Sequence, residues 1–271
     1  NKDYFTWWNE NFYSMNEDVR SHGRVHAITD EFVDGLRVYY DPTSRNAFLV
    51  NCDYYGWVKS IALAVAGDLL EDTHGWHSVH GSCVDVAGQG VSIIGPSGTG
   101  KTTHSWGLLL ADKTRVVSDD WYFVQLVGDE ALAYGTEKNF YIRDDIAATW
   151  TKYADLVENT ALDKQQRGIA DLESAIGLNR FRNVTSMGKV ILLARDDERK
   201  DVITELSAKE GLAYLQEHGY ANPHLLVRDE QKMKLRERFF TDYLSRTDCY
   251  LFNNILPLAE SHEKLREIAF N

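Results

Sequence analysis

Cysteine is scarce in this chain, and what there is lies scattered. Cys52, Cys83 and Cys249 are far apart, with no CxxC spacing. That excludes a cysteine-built zinc site and a disulfide framework, and makes a reducing compartment, the cytoplasm, the expected setting. Proline is equally rare, with 4 in 271 residues, so long disordered linkers are not expected. No apolar run approaches the ~20 residues that span a bilayer. The opening residues, NKDYFTWW, contain no apolar stretch of the secretory type. The chain also lacks a surplus of positive charge. Its net charge of −12 argues against a nucleic-acid partner, because counterion release needs clustered Lys and Arg. Repeats and low-complexity segments are absent.

What is present is one strong motif. Residues 95–105 read GPSGTGKTTHS, which contains GxxxxGKT. Glycines permit a tight loop whose N–H groups face phosphate, the lysine adds a point charge, and a Thr hydroxyl reaches Mg²⁺. The context fits. Gly90–Ile94 is a short apolar, β-branched strand, and 102–112 reads as the following helix. The nucleotide-binding set is therefore Gly95, Pro96, Ser97, Gly98, Thr99, Gly100, Lys101, Thr102 and Thr103. The expected cofactors are ATP, or GTP, with Mg²⁺ or Mn²⁺.

The next strand, 115–118, ends in Asp119-Asp120. Ligands of open sheets sit at strand ends. One carboxylate there can hold Mg²⁺ and the other can take a proton from a hydroxyl. The residues alone leave open which does which. Upstream, His80-Gly81 leads into a hairpin of strands 83–86 and 91–94, turned at Gly88-Gln89-Gly90.

Elsewhere, 25–29, 35–40 and 47–50 read as short strands and 57–71 as an apolar helix, giving a β-rich N-terminal region over 1–75. Residues 76–271 read as an α/β kinase domain. It has further strands at 122–127, 190–193 and 249–252, and helices at 207–218, 229–245 and 258–268. Trp121, Tyr122, Phe140 and Tyr141 are candidate lining for an acceptor pocket.

The stretch VHGSCVDVAGQGVSIIGPSGTGKTTHS…RVVSDD resembles the core of the HPr kinase/phosphorylase family. It also resembles the nucleotide core of ATP-dependent phosphoenolpyruvate carboxykinases. The likeness covers about residues 76–124, extends more loosely to 195, and lies in order and spacing as well as in the loop. It implies that Lys101 binds the β/γ-phosphates and Thr102 the metal. It further implies that Asp119 accepts the substrate proton, that Asp120 binds metal, and that His80 lies beside the transferred phosphoryl group. That family carries a later Glu metal ligand, for which Glu137 is the nearest candidate. It also has an arginine on phosphate, for which Arg143, Arg180 and Arg182 compete. The RPGRN-like motif is absent, and so is the carboxykinase substrate domain. The expected activity is phosphoryl transfer from ATP to a hydroxyl of a small molecule, peptide or protein serine, with homo-oligomers possible. An HPr-type kinase/phosphorylase and a nucleotide sensor without turnover are the alternatives.

Overall fold

The computed structural model describes residues 2–14, 16 and 18–271. It is a mixed α/β structure with several sheets. Helix α1 (Lys2–Asn11) precedes a small sheet of β1 (Arg24–Ile28), β2 (Arg37–Asp41) and β3 (Asn46–Val50), ordered β1-β3-β2. The β2–β3 turn is held locally, with the Asp41 carboxylate accepting from the amides of Thr43 and Ser44.

Helix α2 (Tyr55–His74) is longer at both ends than its apolar pattern suggests. It stops at Gly75, whose left-handed φ of 63° lets its N–H close on Leu70 O. One side of α2 packs Ile61 and Val65 on Ala47 and Leu49 of the small sheet. The other lies so close to β4 (Trp76–His80) that a Cβ on Gly67 would sit 2.9 Å from the Ser78 side chain.

After β4 the chain builds β5 (Ser82–Val86), β6 (Gln89–Ile94), α3 (Lys101–Leu108), β7 (Thr114–Ser118), β8 (Trp121–Val127) and β9 (Glu130–Gly135). A small antiparallel pair follows, β10 (Phe140–Arg143) with β11 (Arg167–Ala170). Between its strands lie α4 (Asp145–Thr149) and α5 (Ala154–Glu158). Then come α6 (Leu172–Ile176), the long β12 (Val184–Ala194), β13 (Ile203–Leu206), α7 (Ala208–Glu217), α8 (Glu230–Leu244), β14 (Asp248–Asn253) and α9 (Leu258–Phe270).

The main sheet runs β4-β8-β9-β12-β6-β5-β7, with β14 on β12 and β13 on β14. β6, β12 and β14 are parallel. Their alternate residues feed opposite cores. Ile94, Leu192 and Leu251 pack beneath α7 and α8, while Ile93, Ile191 and Phe252 pack beneath α3 and α9.

The hairpin turn lies one residue earlier than its glycines suggest. Ala87 and Gly88 carry positive φ (54° and 100°), and Gln89 is already in β6. Helix α3 ends at Leu108 instead of 112. His80 ends β4, and Gly81 leads directly into the antiparallel β5–β6 hairpin. β4 pairs with β8, and the chain changes partners at Gly81, whose missing Cβ would lie 2.7 Å from Ile93 O.

Helix α8 is heavily charged, yet it buries Arg236 and Lys232 against α2 and β4. Arg236 reaches Glu71 at 3.1 Å and Ser78 O at 2.7 Å, and Lys232 reaches Asp68 at 2.8 Å. Burial works against the charge on Glu71, but His77, Arg236 and Lys232 pull its carboxyl down to about 2. Arg236→Ala is expected to destabilise the chain by about 3 kcal/mol, since it leaves buried acceptors underpaired. Urea unfolding at pH 7 measures this, and an unchanged midpoint would show that the network does not hold α8 in place.

Candidate functional site

β5 separates β6 from β7 and runs antiparallel to both, so β6 and β7 end at the same edge of the sheet. Residues 95–100 leave β6 there, and Asp119-Asp120 leave β7. The loop needs its glycines. Gly98 and Gly100 have φ of 82° and 107°, and a Cβ on Gly95 would sit 2.8 Å from Leu193 O. Lys101 Nζ donates to Gly95 O at 2.9 Å and Pro96 O at 3.3 Å, so its charge lies within the curl of the loop. Burial pulls the Lys101 amine below its usual range. From the far side Asn254, just past β14, donates to Thr99 O at 2.7 Å and is itself held by Ser261. No sequence motif points to Asn254, because it is about 155 residues from the loop it supports.

Loop and aspartates open onto one cleft of about 550 Å³. Gly98, Lys101, Thr102, Asp119, Asp120 and His80 are on its wall. Lys59, from α2, lines the same cleft. Its ammonium is 3.0 Å from Asp120 and 3.2 Å from Glu137, and its side chain is only 5% exposed. Burial alone would depress the Lys59 amine, but Asp120 and then Glu137 reverse this and raise it. His80 Nε2 lies 3.4 Å from the other Asp120 oxygen, while its Nδ1 is 2.5 Å from Ala221 O. The carbonyl fixes the ring and aims the second nitrogen at the carboxylate.

These neighbours split the acid pair. Burial disfavours charge on both. At Asp120, Lys59 and His80 overcome it and hold the carboxyl well below its usual range. At Asp119, burial and then the charge on Asp120 push the carboxyl up to about 7. Asp119 has a long contact with Ser105 Oγ, 3.5 Å. The strand end therefore carries one fixed anion and one group that exchanges a proton near neutrality. His224 lines the same cleft and is lowered to about 4 by burial and then by His80.

Other expected residues lie elsewhere. Glu137 is buried behind Lys59 rather than on the cleft wall, bonded by Lys59 and by Asn11 at 2.9 Å. Burial raises its carboxyl. Arg180 is away from the cleft and instead donates to Leu109 O, Ala111 O and Thr114 O, where carbonyls beyond α3 need donors. Arg182 pairs with Asp85 at 3.5 Å, also away from the cleft. Of the three arginines, Arg143 alone is on the cleft wall. Trp121, Tyr122 and Phe140 are buried in the cores, and only Tyr141 of the four aromatics reaches the cleft. Among the described residues no three His, Cys, Asp or Glu side chains form a metal-binding group, and no helix is long and apolar enough to cross a membrane.

No protein-family model matches the chain, and no curated protein matches it by sequence. Among solved structures it is similar to the HPr(Ser) kinase/phosphatase from Coxiella burnetii. The identity is 18% and the TM-score 0.35, covering 48% of this chain and 77% of that one. At that score the likeness is too slight to transfer an activity.

The raised Asp119 carboxyl has a consequence for stability. Folded, it keeps its proton to about pH 7, and unfolded only to its ordinary value of 3.8. The folded chain binds the extra proton in that window, so this group's stabilisation is complete below it and is lost as pH rises through it. In chelator, wild type is expected to lose about 1 kcal/mol per pH unit relative to Asp119→Asn between pH 4 and 7. Parallel stability curves from denaturant titrations would contradict the shift.

Proposed function

We propose that the chain is an ATP- and Mg²⁺-dependent kinase that passes the γ-phosphoryl group to a hydroxyl acceptor. The observation that carries this reading is the divided acid pair, one fixed anion beside one carboxyl poised near neutrality, on a cleft wall shared with the glycine loop and Lys101.

The residues fit a nucleotide triphosphate. The curl at Gly98 and Gly100 has the backbone that turns successive amides toward an anion, and a Cβ on Gly98 would meet nothing within 4 Å. Lys101 is poised to exchange its loop carbonyls for phosphate oxygens. Thr102 and Asp120 are the cleft groups suited to hold Mg²⁺ on the triphosphate. The bound ion supplies charge neutralisation at the transferring phosphoryl group.

Asp119 is suited to take the acceptor's proton. A buried carboxylate that titrates near neutrality is a far better base than an exposed one. Lys59 keeps the charge on Asp120, so the metal-side carboxylate stays ionised when Asp119 is protonated. His80 supports the same anion and faces the cleft, where its Nε2 can also meet the transferred group.

Two variants separate these roles. Asp119→Asn is expected to keep nucleotide affinity within a few-fold and to slow turnover by about 10²–10⁴. Asp120→Asn is expected to raise the Mg²⁺ concentration needed for half-maximal rate. ADP release, measured across a panel of hydroxyl-bearing metabolites and peptides, reads both. Wild-type rates in both variants would remove the mechanism, and tight nucleotide binding without turnover on any acceptor would favour a sensing role.

A further inference from the structure

The strands β10 and β11 put two arginines in direct opposition. Arg143 and Arg167 are cross-strand partners in the antiparallel register, and both line the cleft that holds Lys101 and the aspartates. Side chains directly opposite on one face are about 5 Å apart at Cβ, and like charges so placed destabilise the pair. Among the described residues only one weak ion pair offsets this repulsion. Arg143 meets Asp145 at 3.3 Å, but both side chains are more than half exposed and such pairs contribute little. Arg167 forms no ion pair among the described residues. Its guanidinium donates to Tyr54 Oη at 2.6 Å and lies over the rings of Tyr54 and Tyr141. The nearby Asp163 carboxylate is taken up by the Tyr141 hydroxyl and the amides of Gln165 and Arg167.

The pair is also held firmly. Phe140 packs edge-on to Trp106 of α3, and the Trp150 indole N–H donates to Thr103 O at 2.9 Å. These contacts fix the β10 to α4 segment beside the first turn of α3. Tyr54 lies immediately before α2, about one turn from Lys59, so the aromatic support of Arg167 and the cation on Asp120 come from the same helix end. In the kinase reading the loop supplies Lys101 and its amides to the triphosphate, which leaves these arginines for the other ligand.

We propose that Arg143 and Arg167 form an anion clamp for the phosphoryl acceptor, which is therefore a small hydroxyl-bearing anion, a carboxylate or a phosphate ester. Its charge sits between the two guanidiniums, Tyr54 and Tyr141 pack against its body, and its hydroxyl extends toward Asp119. This rests on the kinase reading for the word acceptor; the clamp itself does not depend on it. Guanidinium forks suit carboxylate and phosphate alike, so the shared chemistry is a compact oxyanion.

The test titrates inorganic phosphate into wild type, Arg143→Gln and Arg167→Gln, each saturated with a non-hydrolysable Mg–ATP analogue, and reads heat. Phosphate is expected to bind wild type and to bind each variant about tenfold more weakly or worse. Analogue affinity should stay within about twofold, since the loop holds it. Glycerate and glycerol 3-phosphate then compete with the bound phosphate, and whichever displaces it better assigns the anion as carboxylate or phosphate ester. Neutral glycerol is expected to have no effect. Equal phosphate affinity in all three proteins would overturn the clamp, as would displacement by glycerol. An equal loss of analogue affinity would overturn it too, by giving the arginines to the nucleotide. If Arg167→Gln unfolds, exposed Arg143 still decides the question. If no protein binds the analogue, the kinase reading fails, while the difference between wild type and variants in phosphate binding still judges the clamp.

Discussion

Two carboxylates side by side at a strand end repel each other, and the cation that settles which of them keeps its charge is Lys59. Its ammonium is 3.0 Å from Asp120 and almost wholly buried. Taking an ammonium out of water costs several kcal/mol, and the position is tolerable only because Asp120 and Glu137 both meet it. The same pairing decides the chemistry of the strand end. Charge is held on Asp120, and Asp119, which forms no ion pair among the described residues, holds a proton to about pH 7 through burial and then the charge on Asp120. A kinase of the proposed kind needs that asymmetry, with one anion for the metal side and one base for the acceptor.

The pairing also explains why the first 75 residues matter to the cleft. Lys59 is on α2, and α2 is held between the small sheet on one side and β4 on the other. The buried cluster of Glu71, His77, Lys232 and Arg236 fixes the far end of α2 to α8. Asn11 at the end of α1 reaches Glu137, the second partner of Lys59. A region that reads as a separate β-rich unit therefore carries a charge that the acid pair requires.

Much of this was legible in the sequence, and what was not shares a cause. Strands β5 to β8, β12 and β14 follow from apolar, β-branched runs, and helices α7 to α9 from their periodicity. The glycine loop and the Asp pair are local signals, and the structure brings them to one cleft with His80. Lys59, Asn254 and Arg167 were missed because each acts across a long separation and sits in no motif. The Arg143–Arg167 opposition comes from the β10–β11 register, which nothing local in the sequence sets. Glu137 is suggested only by its order along the chain, and its burial against Lys59 is a tertiary fact. Arg180 and Arg182 lie near the position expected for a phosphate contact, but in the fold they meet the carbonyls beyond α3 and the buried Asp85.

The most direct test of the central claim is carbon-13 NMR of the aspartate carboxyl carbons in metal-free protein, in wild type and in Lys59→Met. In wild type one carboxyl of the pair should titrate near pH 7 and the other stay ionised well below the usual aspartate range. In Lys59→Met the second should move up into the observable range as the pair loses its cation. Two ordinary aspartate titrations in wild type, unchanged by the loss of Lys59, would contradict the account.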